Sequence, residues 1–251
     1  MDGTTPTLAQ RVNAVLHAKQ YLVFFAIGLY ALDFGVPLFS AWLYRHEPLA
    51  ELLRNTSGPL AYAVAAHSAV IAAIFVVYLL AGMWLRAGYI RSLVGHFHLR
   101  PADPRQFLRL LVLGLALEAV GALTAGAIVL AGDDLQLASA AVLGQLAIYF
   151  VVLYADYIIV IADVGPLRAV ALSWRTVRAT LVPSGLVFVA GTLLVYAATG
   201  LLDQNVTGSL ALAAPMMLVQ CVVMGGVVFV VDVVLVTLYL NAVKTGQLKP
   251  K

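Results

Sequence analysis

Charged residues are scarce in this sequence, and cysteine is almost absent. Only 11% of the 251 residues are Asp, Glu, Lys or Arg, whereas 63% are hydrophobic. A soluble domain has about 25% charged and about 45 to 50% apolar residues, so this composition excludes a soluble globule. The single cysteine, Cys221, excludes an intramolecular disulfide and offers no cysteine cluster for a metal ion.

Recognisable catalytic motifs are also absent from the sequence. It contains no Gly-Lys-Ser/Thr phosphate loop, no His-Glu-x-x-His zinc helix and no Gly-x-Ser-x-Gly elbow. His96 and His98 are two residues apart, a spacing that would point them to different sides of a helix. We therefore expect no enzyme activity, no cofactor and no metal site, and an enzyme acting on membrane lipid is only a third alternative.

Long apolar runs dominate what is present. A hydrocarbon core of roughly 30 Å requires about 20 helical residues, because in lipid each backbone polar group needs a partner within its own segment. Six runs are long enough, near Tyr21–Tyr44, Leu60–Arg86, Phe107–Ala131, Leu137–Ala162, Gly185–Leu202 and Leu212–Leu240. The sequence predicts an all-α integral membrane protein with one six-helix transmembrane domain over residues 1–251.

The basic residues are distributed unevenly among the connections. Of the 15 Lys and Arg residues, all except Arg45 and Arg54 fall in the two termini or in the second and fourth connections. The positive-inside rule then predicts a multi-pass protein of the cytoplasmic membrane, with both termini in the cytoplasm. The basic excess sets this topology and can meet anionic headgroups, so it does not imply nucleic acid.

One connection has a helical pattern of its own. In residues 167 to 182, an apolar face is spaced at i, i+4, i+7 and i+11: Val170, Trp174, Val177 and Leu181. Arg168 and Arg175 lie opposite, and Pro183 breaks the helix before the next crossing. This pattern favours an amphipathic helix in the membrane interface; the alternative is a solvated cytoplasmic loop.

Two further segments carry a similar pattern, beside Arg11 and beside Arg91. The three segments recur about every 80 residues, and each precedes a pair of crossings. The chain therefore reads as three repeated hairpins, each preceded by an interfacial amphipathic helix. Membrane lipids with anionic headgroups on the cytoplasmic side are the predicted partners, and the predicted contact residues are Arg91, Arg168, Trp174, Arg175 and Arg178.

The succession "IADVGPLRAVALSWRTVRATLVPSGLVFVAG" resembles a bacterial inner-membrane group. This group comprises the uncharacterised YciC-like six-helix proteins and the membrane region attached to some glycerophosphodiester phosphodiesterases. The residues that carry the resemblance are Asp163, Gly165, Ser173, Trp174 and Arg178. It implies the fold and the location only, because the phosphodiesterase chemistry belongs to a soluble domain that this sequence does not contain.

Polar residues within the predicted crossings are the candidate functional residues: Asp33, His67, Glu118, Gln145, Tyr149, Asp156 and Asp232. An ionised acid at the bilayer centre costs on the order of 3 kcal/mol, so these acids should face protein or water. Glu118 lies on a small-residue stripe with Gly114 and Gly126. Gln145, Tyr149, Asp156 and Asp163 should share one helix face that lines the interior.

These polar residues have two interpretations. A ladder of ionisable groups would conduct protons or cations, whereas hydrogen-bonded acids would only fix helix packing. Contacts from Arg168 or Arg175 to Asp156 or Asp232 would favour the packing interpretation.

Our first hypothesis is a non-enzymatic membrane protein that organises lipid or partner proteins. The alternative is a small proton- or cation-coupled transporter or channel using Glu118, Asp156 and Asp232. Small-residue stripes also permit a homo-oligomer.

Overall fold

The computed structural model describes residues 7–32, 69–95, 100–132, 134–205 and 210–246, and these residues are helical with short connections and no strand. In chain order the helices are α1 (Leu8–Lys19), α2 (23–32), α3 (Ala69–Val94), α4 (Pro104–Ala131), α5 (Leu135–Val151), α6 (Ala155–Ala162), α7 (Pro166–Ala179), α8 (Leu181–Asn205) and α9 (Leu210–Lys244). A single 3-10 turn, Gln20–Leu22, joins α1 to α2. The predicted all-α class is confirmed for this part of the chain.

Several helical stretches are long and apolar enough to cross a membrane. Four qualify among the described residues: Leu8–Leu32, Pro104–Ala131, Leu135–Ala162 and Leu218–Lys244. The bent pair α7 and α8 gives a fifth if it counts as one span. The chain is therefore an apolar helical protein with four to five candidate spans where it is described, and six crossings stay a prediction, since residues 33–68 lie outside the described ranges.

Two of the predicted surface segments are continuous with longer helical stretches. The segment beside Arg11 is α1, which is the first part of the candidate span Leu8–Leu32. α3 likewise runs on past Arg86 to Val94, so Ile90 and Leu93 are buried at the end of a long helix. Among the described residues α7 follows the candidate span Leu135–Ala162 as a distinct helix, and it qualifies as part of a further span only together with α8. The threefold repeat stays a prediction.

The fourth predicted crossing is broken between α5 and α6, where no proline or glycine marks the break. The hydroxyl of Ser173 bridges the interruption, because it donates to the carbonyl of Val151 at 2.7 Å and accepts from the amide of Tyr154 at 3.0 Å. Ser173 is fully buried on α7. α7 therefore supplies the hydrogen bonds that the broken helix cannot make within itself.

α7 is bounded by residues with identifiable roles. It begins after Asp163, which adopts a left-handed conformation (φ 51°), and Pro166 occupies its first turn. It ends at Ala179, and α8 leaves at an angle of 105°. Pro183 has no N–H to donate to the carbonyl of Ala179, and in a continuous helix the proline ring would collide with that carbonyl. The predicted break is thus present, but it lies at Thr180, inside the stretch that was predicted to be helical.

Small residues permit two close helix contacts. A β-carbon at Gly225 of α9 would lie 2.5 Å from the Cα of Ile27 on α2, so the two backbones pack directly together. A β-carbon at Gly114 of α4 would lie 2.9 Å from the Met83 side chain on α3. The predicted small-residue stripe beside Glu118 therefore contacts another helix at Gly114, while Gly126 has open space around it.

The buried core is concentrated where α3, α6, α7 and α9 come together. Tyr89 and Ile90 of α3, Ile158 of α6 and Val233 of α9 are all inaccessible to solvent. The ammonium of Lys19 donates to the carbonyls of Ser92 at 2.9 Å and of Gly95 beyond the end of α3. A cation at this position satisfies carbonyls that have no helical partner and complements the helix dipole.

Candidate functional site

Arg86 joins two acids that the sequence places in different crossings. Its guanidinium nitrogens lie 2.7 Å from Asp156 Oδ2 on α6 and 2.8 Å from Asp232 Oδ2 on α9. Arg86 Nε donates to the same Asp156 oxygen at 3.0 Å, and Nη2 reaches Asp232 Oδ1 at 3.2 Å. One cation from α3 is therefore clamped by carboxylates from two other helices, with more than one hydrogen bond to each.

Two tyrosines complete this arrangement. The Arg86 guanidinium lies 5.6 Å from the ring centre of Tyr89 and 5.4 Å from that of Tyr157, within the range of a cation–π contact. The Tyr157 hydroxyl accepts from Arg86 Nη2 at 3.2 Å and donates to Asp232 Oδ1. We call Arg86, Asp156, Tyr157 and Asp232 the charge cluster.

The charge cluster is largely shielded from solvent, but its members differ in their exposed fraction. The side chain of Asp232 is 4% exposed, whereas those of Arg86 and Asp156 are 21% and 23% exposed. Asp156 also accepts from the amide of Tyr157 at 2.8 Å. Removing an ion pair from water carries a large desolvation cost. In this cluster, several hydrogen bonds to each carboxylate offset that cost.

A cavity of about 450 Å³ lies beside the charge cluster. Arg86 and Asp156 contribute its charged wall, and Tyr30, Tyr78 and Tyr149 contribute aromatic rings with hydroxyl groups. Most of the remaining lining is aliphatic, including Leu79, Met83 and Leu113. The size and lining are those of a small-molecule pocket with a few polar groups.

The predicted intramembrane residues are only partly brought together. Asp156 and Asp232 meet at Arg86, and Gln145 Nε2 donates to the hydroxyl of Tyr149 at 2.8 Å, one turn away on α5. Tyr149 and Asp156 both line the cavity, although the break between α5 and α6 separates them along the chain. Glu118 is half-buried on α4 and does not line this cavity. Asp33 and His67 lie outside the described residues.

One predicted position is wrong. Asp163 does not share the interior face, because its carboxylate is 62% exposed and pairs with Arg109 at 2.5 Å. The cation that pairs with Asp156 and Asp232 is Arg86, which the sequence pattern had placed in a cytoplasmic connection, and not Arg168 or Arg175. The apolar pattern that continues after Arg86 could have indicated that this arginine lies within a helix, since Ala87, Tyr89 and Ile90 are all buried.

α7 has a packed face and an outer face. Its buried residues are Ala169, Ser173, Thr176 and Val177. Its outer face, as we define it, consists of Leu167, Arg168, Trp174, Arg175 and Arg178, all of which are exposed. Of the predicted apolar face, Val177 packs into the protein, whereas Trp174 and Leu181 point outward, 42% and 55% exposed.

Arg91 differs from the other predicted lipid contacts. Its guanidinium donates to the carbonyl of Pro101 at 2.8 Å, and its side chain is only partly exposed. Arg91 therefore fastens the connection that follows α3 to the end of that helix. The outer face of α7 is the stronger candidate for contact with a membrane surface.

A metal site is not found in the described part of the chain. No group of three or more His, Cys, Asp or Glu side chains is placed to hold a metal ion there.

The hydroxyls of Tyr154, Thr180 and Ser184 bond to one another, with 2.6 Å between Tyr154 Oη and Ser184 Oγ. They tie the break between α5 and α6 to the start of α8.

No family model, curated protein or solved structure matches the chain. The resemblance to YciC-like proteins and to the membrane region of glycerophosphodiester phosphodiesterases stays a prediction, carried by the residues named above.

Proposed function

We propose that this chain is a non-enzymatic integral membrane protein that organises anionic lipids, or partner proteins, at the cytoplasmic membrane. The observation that carries the proposal is the outer face of α7. It presents Arg168, Arg175 and Arg178 beside Trp174, on a helix that is set at 105° to α8, the helix that follows it.

The physical basis is the match between this outer face and a headgroup layer. Trp and Arg both favour the membrane interface, and each basic residue near an anionic surface contributes about 1 kcal/mol of attraction. The opposite side of α7 is held by Ser173 and Val177, so the arginines are presented by a fixed element. A cytoplasmic position for this helix is part of the proposal.

The acids within the spans have a structural role in this proposal. Asp156 and Asp232 are both bonded to Arg86, which fixes how α3, α6 and α9 meet. Buried charge pairs of this kind are better suited to specifying one arrangement of helices than to adding net stability.

Neutralising the outer face of α7 tests this function. With Arg168, Arg175 and Arg178 all changed to Gln, we expect enrichment of phosphatidylglycerol over phosphatidylcholine around the protein to fall by about tenfold or more, since roughly 1 kcal/mol is lost at each position. Native mass spectrometry of the protein released from nanodiscs that contain both lipids measures this enrichment.

The matched control changes the same three positions to Lys, which keeps each charge. This control should retain most of the enrichment, and both variants should unfold at the wild-type temperature because the replaced side chains are exposed. If the Gln variant is folded and retains the wild-type lipid ratio, the proposed function is wrong.

A second candidate function is proton- or cation-coupled transport through Glu118, Asp156 and Asp232. The specific observation in its favour is the cavity of about 450 Å³ that reaches Asp156. Transport would require the carboxylate to exchange Arg86 for the transported ion during each cycle.

A flux measurement tests this second candidate. In proteoliposomes with a pH-sensitive dye inside, transport predicts a proton flux above that of empty vesicles, which Asp156→Asn abolishes. Asp163→Asn is the control, because that carboxylate lies outside the cavity and pairs with Arg109. The absence of proton flux with the wild-type protein would remove the proton-coupled form of this candidate.

A further inference from the structure

We propose that the cavity beside the charge cluster binds an amphiphilic organic cation, which is a molecule with one positive charge on an apolar body. This site is separate from the outer face of α7. It would give the protein a small-molecule ligand in addition to its proposed lipid partners.

The charge balance of the cluster selects a cation. Arg86 carries one positive charge and faces two carboxylates, so the ionised cluster has a formal charge of −1. Asp232 is 4% exposed and is bonded to both Arg86 and Tyr157, whereas Asp156 is 23% exposed and lines the cavity. Arg86 and Asp156 both line the cavity, and the second carboxylate, Asp232, is bonded to Arg86, so a ligand in the cavity meets a cluster with a net formal charge of −1. In a medium of low dielectric a cation there gains far more than it would in water.

The rest of the lining suits both the charge and the apolar body of such a ligand. The faces of aromatic rings attract cations, and Tyr30, Tyr78 and Tyr149 all line the cavity. Leu79, Met83 and Leu113 provide apolar surface for the uncharged part. A lipid acyl chain would use the apolar surface but leave the excess charge without a partner, and an anion would face a cluster of net negative charge.

Two probes of the same shape and opposite charge test the proposal: tetraphenylphosphonium and tetraphenylborate. Binding of each to the full chain in a non-ionic detergent is measured by isothermal titration calorimetry, with detergent micelles alone as the reference. We expect saturable binding of the phosphonium, and borate binding that is at least tenfold weaker. Equal binding of both probes, or binding of neither, would overturn the proposal and leave an apolar void filled by lipid.

Two variants locate the site. Asp156→Asn should weaken phosphonium binding at least tenfold. A β-carbon at Gly82, which lines the cavity, would meet no atom within 4 Å, so the side chain of Gly82→Leu starts in open space at the cavity wall and should abolish binding by occupying the cavity. Gly126→Leu is the control, because Gly126 has similar free space but does not line the cavity. If Asp156→Asn fails to fold, Gly82→Leu decides the question, and a folded Gly82→Leu protein with wild-type binding would overturn the proposal.

Discussion

Replacing Arg86 with Met should lower the free energy of unfolding by about 3 to 5 kcal/mol, because removing one partner of a buried ion pair leaves uncompensated charge inside the protein. Here the substitution leaves two carboxylates, Asp156 and Asp232, without the cation that they share. Met is about as long as the aliphatic stem of the arginine and keeps most of its apolar contact. Denaturant unfolding in a fixed detergent, followed by tryptophan fluorescence, measures the change.

The control for this substitution is Arg105→Met. Arg105 is exposed near the start of α4, and its replacement should change stability by no more than about 0.5 kcal/mol. Equal stability of Arg86→Met and Arg105→Met would show that the charge cluster does not hold the helices together.

Replacing Ser173 with Ala should be the next most destabilising change. The substitution removes both hydrogen bonds at the break between α5 and α6, and the carbonyl of Val151 and the amide of Tyr154 would be left without them. An unsatisfied buried polar group costs roughly 1 to 3 kcal/mol, so we expect a loss of about 2 to 4 kcal/mol. Hydrogen exchange at the amide of Tyr154 should also become faster, because it loses its acceptor.

Thr176→Val provides the comparison for Ser173. Thr176 is buried on the same face of α7, but its hydroxyl donates at 2.9 Å to the carbonyl of Leu172 within its own helix. Its loss should therefore cost about 1 kcal/mol or less, since the backbone keeps its helical bonds. If the two variants are equally destabilised, the proposed bridging role of Ser173 is wrong.

The helical class was predictable because it depends on local properties. An apolar run of sufficient length can satisfy its backbone in lipid only as a helix, so α4 and α9 coincide with runs read directly from the sequence. The proximity of Gln145 and Tyr149 was likewise predictable, since residues four apart share a helix face. The end of α7 follows from the position of Pro183.

The charge cluster was not predictable, because it depends on how distant segments meet. Asp156 and Asp232 are singled out by their surroundings, but Arg86 lies at the end of an apolar run, where the positive-inside rule assigns a basic residue to a connection. Only the convergence of α3, α6 and α9 shows that it points inward. The break at residues 152–154 was missed for a related reason, since its hydrogen bonds come from Ser173 on another helix.

The claim that Arg86, Asp156 and Asp232 act as one unit is tested most directly by removing all three charges together. The measurement is the free energy of unfolding of the triple variant Arg86→Met, Asp156→Asn and Asp232→Asn, compared with that of Arg86→Met alone in the same detergent. We predict that the triple variant regains most of the stability lost in the single variant, because it leaves no unpaired charge. A triple variant that is as unstable as Arg86→Met, or less stable, would contradict this claim.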